Sequence, residues 1–361
     1  MTNSMRFLLA AAVAVALGGN AMADAWTGDG ATDKWEDADN WLLDAVPTNN
    51  GSGNTFINGG HNVLFDADTW AALDTAGNLQ SATQYRVVRF LINESTAATS
   101  GPIGTNSLTF DFGDGLEILQ TNGTSAVFGG RNGSDTTLNI VSGLLNTGSR
   151  TSFGARVGAS GTVNVMGGDF IIGRVNLQLG INNAFDTTTG TGVANISGGT
   201  FRTRRGVAIG GTSTFHVAGS GVTEIGVGSQ GSEDGVWTQV AGGTLRTGID
   251  AGGITAILVD DVDDDGGGTQ GNVTFAAGSI LDPYDLGGAP TNVWTTIMNW
   301  EGTLDDNGLV LSSDALNAGW EKRVDGNSLQ VRLVATAVPE PSSLALLGLG
   351  SVAFVARRRR S

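Results

Sequence analysis

The sequence predicts an all-β chain wound as a parallel β-solenoid (a β-helix), with coils of about 21–25 residues and β caps at both ends. Three observations lead there. Glycine fills 57 of 361 positions, 40% of residues are hydrophobic while only 15% are charged, and one seven-residue phrase recurs through the middle of the chain. So much glycine argues against a helical bundle, because each one costs about 1 kcal/mol in a helix interior. Collagen is excluded by six prolines and the lack of a glycine at every third position.

The recurring phrase starts at Asn139, Asn164, Asn195, His216, Gln239 and Thr274, as in Asn195-Ile196-Ser197-Gly198-Gly199-Thr200-Phe201. Its fifth positions fall at 143, 168, 199, 220, 243 and 278, which gives a step in the low twenties with insertions in the longer intervals. Alternation at Val163/Val165 and Phe215/Val217 has period two, so one side of each strand faces a core. Glycine pairs supply the corner conformations that other residues resist. A second short strand ends in glycine at Arg156-Val157-Gly158, Leu179-Gly180, Ala208-Ile209-Gly210 and Ile225-Gly226, which predicts two strands per coil. A coil cannot bury its apolar row alone, so neighbours must stack. A β-sandwich is the alternative fold. The insertions 181–192, 230–235 and 260–271 read as loops leaving one edge of the stack.

The flanks are different. Trp26, Trp35 and Trp41 cluster before the repeat, where they read first as a cap and second as a carbohydrate-stacking surface. Beyond the repeat, 293–300 and 328–333 read as strands of a closing β unit. The expected division is a signal peptide over 1–23, a tryptophan-rich β cap over 24–104, the solenoid over 105–282, a C-terminal β unit over 283–337 and a tail over 338–361.

Both ends carry addresses. Arg6, the apolar run 7–17 and the small residues Ala21 and Ala23 form a signal peptide, which predicts a precursor signal helix, the Sec machinery and signal peptidase as partners, and cleavage before Asp24. The tail joins Pro339-Glu340-Pro341 to an apolar stretch, 344–356, and closes on Arg357, Arg358, Arg359 and Arg360. That stretch is shorter than the ~20 residues that span a bilayer comfortably, and the arginines would hold its end at the cytoplasmic face. This tripartite tail resembles the PEP-CTERM sorting signal of Gram-negative bacteria. The resemblance implies an exosortase-type membrane transpeptidase as partner and transient inner-membrane anchoring through a short C-terminal transmembrane helix. It also implies export to the cell envelope, outer surface or matrix of bacteria that make exopolysaccharide and biofilm. The central phrase is similar to the autotransporter-associated β-strand repeats of bacterial surface proteins.

The formal charge of −16 becomes about −21 once Arg6 and the four terminal arginines are set aside, leaving 14 basic residues against 35 acidic. Such a body repels nucleic acid and anionic lipid. The absence of cysteine excludes disulfides, thiolate metal sites and cysteine nucleophiles. Asp261, Asp263 and Asp265, followed by Gly266, read first as an acidic solvated loop. Their second reading is a Ca²⁺ loop of carboxylate ligands, although Asn272 stands where an EF-hand needs glutamate. His216 falls in the phrase column of Asn139, Asn164, Asn195 and Gln239 and reads as a rung of a polar ladder, while His61 sits in a turn-like string. Arg202, Arg204 and Arg205 share a repeat face with Arg246 on this reading. No Gly-x-Ser-x-Gly elbow, Walker loop or paired metal histidines occur.

The expected function is therefore a non-enzymatic exported surface or matrix protein that associates with exopolysaccharide. A carbohydrate-active β-helix enzyme (a polysaccharide lyase or glycosidase) is the alternative. An ice- or crystal-binding solenoid comes third, because no Thr-x-Thr ladder is seen to recur in register.

Overall fold

The computed structural model describes residues 24–41, 46–47, 54–93, 104–121, 125–148, 150–173, 175–181, 190–226, 235–260 and 271–335. Their strands form three sheets of ten, nine and ten strands. We call these sheet I (Asp24–Trp26 through Leu304–Asp306), sheet II (Asn62–Asp66 through Val310–Leu311) and sheet III (Gln84–Val87 through Thr295–Trp300, then Ser328–Leu333 and Trp320–Asp325). The chain visits I, II and III in turn, so each coil holds three strands rather than the expected two. Eight coils run complete from Asn54 to Trp300, and a ninth stops after Leu311. Successive coils pair in parallel, which confirms the parallel β-helix and removes the sandwich.

The coils are uneven. Asp135 lies beside Ser160, 25 residues on, and Val193 beside Thr214, 21 residues on, while Thr244 lies beside Ile280 after 36. The first complete coil starts at Asn54, inside the stretch expected to be cap alone, and Thr295–Trp300 completes the eighth coil beyond the expected end at 282.

Register also corrects the phrase. Its first four copies bridge sheets II and III: Asp135–Ser142 leads through Gly143 into Leu144–Thr147, and Thr191–Ile196 leads through Gly199 into Thr200–Thr203. The copies at Gly243 and Gly278 bridge sheets I and II instead. Glycine is needed at such a corner because coils come into backbone contact. Gly199 has φ +64°, and a Cβ there would collide with the carbonyl oxygen of Gly168. At the equivalent of Gly129 and Gly154 in the second coil, Asn93 takes φ 52°, and its amide donates to the Gly104 carbonyl at 2.9 Å.

The core is a column of inward side chains. Phe128 and Phe153 stack at 4.8 Å with planes 9° apart, and edge contacts continue through Phe170, Phe201, Phe215 and Trp237. At the N-terminal end Trp41 meets Trp26 at 5.0 Å and Trp35 at 4.9 Å, both edge-on. The indole N–H of Trp41 donates to the Trp35 carbonyl at 2.9 Å. The helix Ala67–Thr75 adds Trp70, stacked on Phe112, and is capped by Asp66, which accepts from the Thr69 amide at 2.9 Å. At the other end Trp320–Asp325 and Ser328–Leu333 form an antiparallel hairpin, which joins sheet III antiparallel to Thr295–Trp300. The closing strands thus form as expected.

Candidate binding face

Because side chains alternate along a strand, every second residue of sheet II points outward. Register aligns these residues into three columns. Thr105, Asp135, Ser160 and Thr191 start the strands. Ser107, Thr137, Thr162, Val193, Thr214 and Thr244 form the middle column. The third runs Thr109, Asn139, Asn164, Asn195, His216 and Arg246, and then reaches Asp282. As expected, no Thr-x-Thr ladder recurs in register here, but the middle column is Ser or Thr at every position except Val193. Insertions of unequal length hide that column in the sequence.

The third column is a hydrogen-bonded ladder. Asn139 donates to Thr109 Oγ1 at 3.2 Å, Asn164 to Asn139 Oδ1 at 2.8 Å, and Asn195 to Asn164 Oδ1 at 2.8 Å. Asn195 Oδ1 is left as an acceptor, so His216 meets it with Nδ1–H at 3.2 Å. That choice leaves Nε2 to accept the Tyr284 hydroxyl at 2.9 Å. Burial holds the half-buried His216 below its usual pKa, Arg246 lowers it further, and Asp282 opposes both. The imidazole is neutral in this arrangement.

Tyr284 reaches His216 by lying across Gly248, its register partner; a Cβ at Gly248 would stand 2.6 Å from the phenolic oxygen. The Arg246 guanidinium sits 4.7 Å from the centre of the Tyr284 ring and 3.4 Å from Asp282. Ser312 donates to Asp282 at 2.5 Å. Tyr284, Asp282 and Ser312 escaped the sequence reading because only the register of later coils brings them to His216.

His216 is thus a ladder rung, as expected, but Gln239 is not in its column. Gln239 is buried in sheet I and donates to the carbonyls of Gly243 at 2.6 Å and Ile280 at 2.8 Å. Arg202 likewise parts from Arg246: it faces outward on sheet III and pairs with Glu224 at 2.5 Å. His61 stands at the corner between the sheet I strand Asn54–Ile57 and the sheet II strand Asn62–Asp66. The tryptophans need the clearest correction. Trp26, Trp35 and Trp41 are 4%, 1% and 1% exposed, so their faces meet one another and the core and present no platform to a sugar.

Asp261, Asp263 and Asp265 lie outside the described residues, as do Ala21, Ala23, Pro339, Glu340, Pro341 and Arg357 to Arg360. The first of the expected insertions stands between sheets I and II; residues 227–234 and 261–270 stand between sheets III and I. In chain order they thus fall at two of the three sheet-to-sheet connections, both bordering sheet I, rather than at one. Among the described residues, no three His, Cys, Asp or Glu side chains are grouped to hold a metal ion, and no helix is long and apolar enough to cross a membrane.

Residues 337–360 match the family model described as the PEP-CTERM protein-sorting motif. No curated protein and no solved structure matches the chain. The chain carries the sorting tail of an exosortase substrate, which implies export and association with the cell surface.

Proposed function

We propose that the protein is a non-enzymatic component of the cell surface or extracellular matrix, processed near Pro339 by an exosortase-type transpeptidase and associated there with exopolysaccharide. The sorting motif at 337–360 carries this reading. The outer face of sheet II supports the non-enzymatic part. Its reactive groups are already engaged with one another: His216 through both ring nitrogens, and Asp282 by Arg246 and Ser312. A catalytic acid or base needs a free approach to its substrate. Here the groups end a ladder.

The test is cell fractionation of an epitope-tagged chain in an exosortase-containing host. The wild type is expected in the surface and matrix fractions, and Pro339→Ala with Glu340→Ala is expected to stay in the inner membrane. Identical distributions would remove the sorting step from the proposal. Shortened glycans after incubation with host exopolysaccharide would replace the non-enzymatic reading with a carbohydrate-active one.

A further inference from the structure

We propose that the outward face of sheet II docks an uncharged, hydroxyl-rich polysaccharide laid along the axis of the β-helix. This rests on the reading of exopolysaccharide association and goes further, by naming the face and the chemistry of the glycan.

Charge is the first argument. The chain carries a formal −16, yet the outward face of sheet II from Thr105 to Thr244 holds few charges: Asp111, at the end of its strand, accepts from Ser142 at 2.7 Å, and in the three columns Asp135 is the one formal charge. Its carboxylate is occupied by Ser160, which donates to it at 2.8 Å. The next charge along is Arg246, already facing Asp282 at 3.4 Å. A polyuronate approaching this face would meet the repulsion of the acidic body and find no unengaged cation to offset it. A neutral glycan meets no such barrier.

Geometry is the second. Neighbouring coils set side chains about 4.8 Å apart along each column, and adjacent columns are two residues apart, about 6.7 Å. The result is a flat lattice of hydroxyls, carboxamides and methyl groups, suited to a chain whose own hydroxyls recur at regular intervals.

Preorganisation is the third. Asn164 and Asn195 each use one amide hydrogen and one carbonyl lone pair within the column, keeping the second of each for a ligand, while Asn139 spends its amide on both Thr109 and Ser107. Their rotamers are set before anything binds. The β-branched Thr and Val residues of the middle column are stiff at χ1. Docking on such a face forfeits little side-chain entropy.

The experiment is a pull-down of the full chain, in mild detergent, on an insoluble neutral β-glucan and on a polyuronate gel, each with calcium and with chelator. Wild type should be retained on the β-glucan in both buffers. Thr162→Glu with Thr214→Glu plants two carboxylates on the face and should cut retention about tenfold or more, because a desolvated charge finds no partner there. Thr200→Glu, outward on sheet III, should leave retention unchanged. If the charged pair lowers the melting temperature, Thr162→Val with Thr214→Val keeps the shape and removes the hydroxyls, and it should still weaken retention severalfold.

Equal retention of wild type and a folded double variant would overturn the inference. Retention on the polyuronate alone would also overturn it, while leaving exopolysaccharide association standing. Binding to neither polymer would remove both. Ice shaping by the wild type without glucan retention would reassign the face to a crystal lattice.

Discussion

The two ends of the β-helix are closed by different physics. At the N-terminal end Trp26, Trp35 and Trp41 interlock, mostly edge-on, with Phe65, Trp70 and Tyr85 of the first coil. Buried hydrogen bonds satisfy some of their polar edges: Trp35 donates to the Tyr85 hydroxyl at 3.3 Å, and Tyr85 donates to the Pro47 carbonyl at 2.6 Å, whereas the Trp26 indole N–H is buried with no partner among the described residues. At the C-terminal end only sheet III is extended, by a hairpin. There Trp294 is half-buried, with the guanidinium groups of Arg323 and Arg332 at 4.4 and 4.6 Å from its ring. One end is shut by buried aromatic volume. The other is shut by strand pairing, the short helix Ser313–Ala318, two buried tryptophans (Trp300 and Trp320) and surface charge. A stack of coils needs its ends protected against edge pairing, but not by the same means.

The largest effect that would break this contrast is at the N-terminal end. Trp35→Ala should cost about 3–5 kcal/mol in chemical denaturation, since Trp35 is 1% exposed and a cavity would be left behind. Because coils touch mainly their neighbours, hydrogen exchange should quicken first in the coil holding Phe65 and Tyr85 and fade toward the C-terminal coils. Uniform loss of protection would mean that the whole rod unfolds as one unit.

The next effect is pH-dependent and compares the two histidines. Burial lowers the pKa of both: His61 near the N-terminal cap, opposed by Asp33 and Asp29, and His216 beside Arg246, Asp282 and Tyr284. Their stabilisation is complete above the ordinary value of 6.5 and declines as pH falls below it, because the unfolded chain takes up protons that the folded chain resists. The melting temperature should therefore fall between pH 7 and pH 5. His216→Asn continues the asparagine column and should shrink that fall, leaving the share of His61. An unchanged slope would assign the whole effect elsewhere.

The smallest effect tests the C-terminal end. Arg323→Ala should cost about 0.5–1 kcal/mol, the usual worth of an exposed cation over an indole. The comparison sharpens if Arg332→Ala does the same, and fails if either matches Trp35→Ala.

Much of this was legible in the sequence. Period-two alternation at Val163/Val165 and the recurring Gly-Gly corners were enough to identify stacked parallel coils, because both features are local. The strands Thr295–Trp300 and Ser328–Leu333 were legible for the same reason, whereas Trp320–Asp325, which pairs with the latter in a hairpin, was not. What escaped was register, which depends on loop length and on pairing between residues 21 to 36 positions apart. That is why the third strand of each coil, the middle column of Ser and Thr and the placement of Tyr284 over Gly248 were missed. The first reading of the tryptophans, a cap, holds and the second fails: tryptophan suits a cap and a sugar platform alike, and only packing separates the two.

The change of corner between Gly219-Ser220 and Gly242-Gly243 has a consequence of its own. The glycine phrase behaves as a bend cassette that can be written at any vertex of the triangle, so its spacing in the text keeps a different phase from the turns of the rod. Lining up copies by their lettering sets Gln239 opposite His216, although one is sealed inside sheet I and the other faces outward on sheet II. Any consensus drawn from such an alignment would average two faces into one and would graft outward-facing residues into the core.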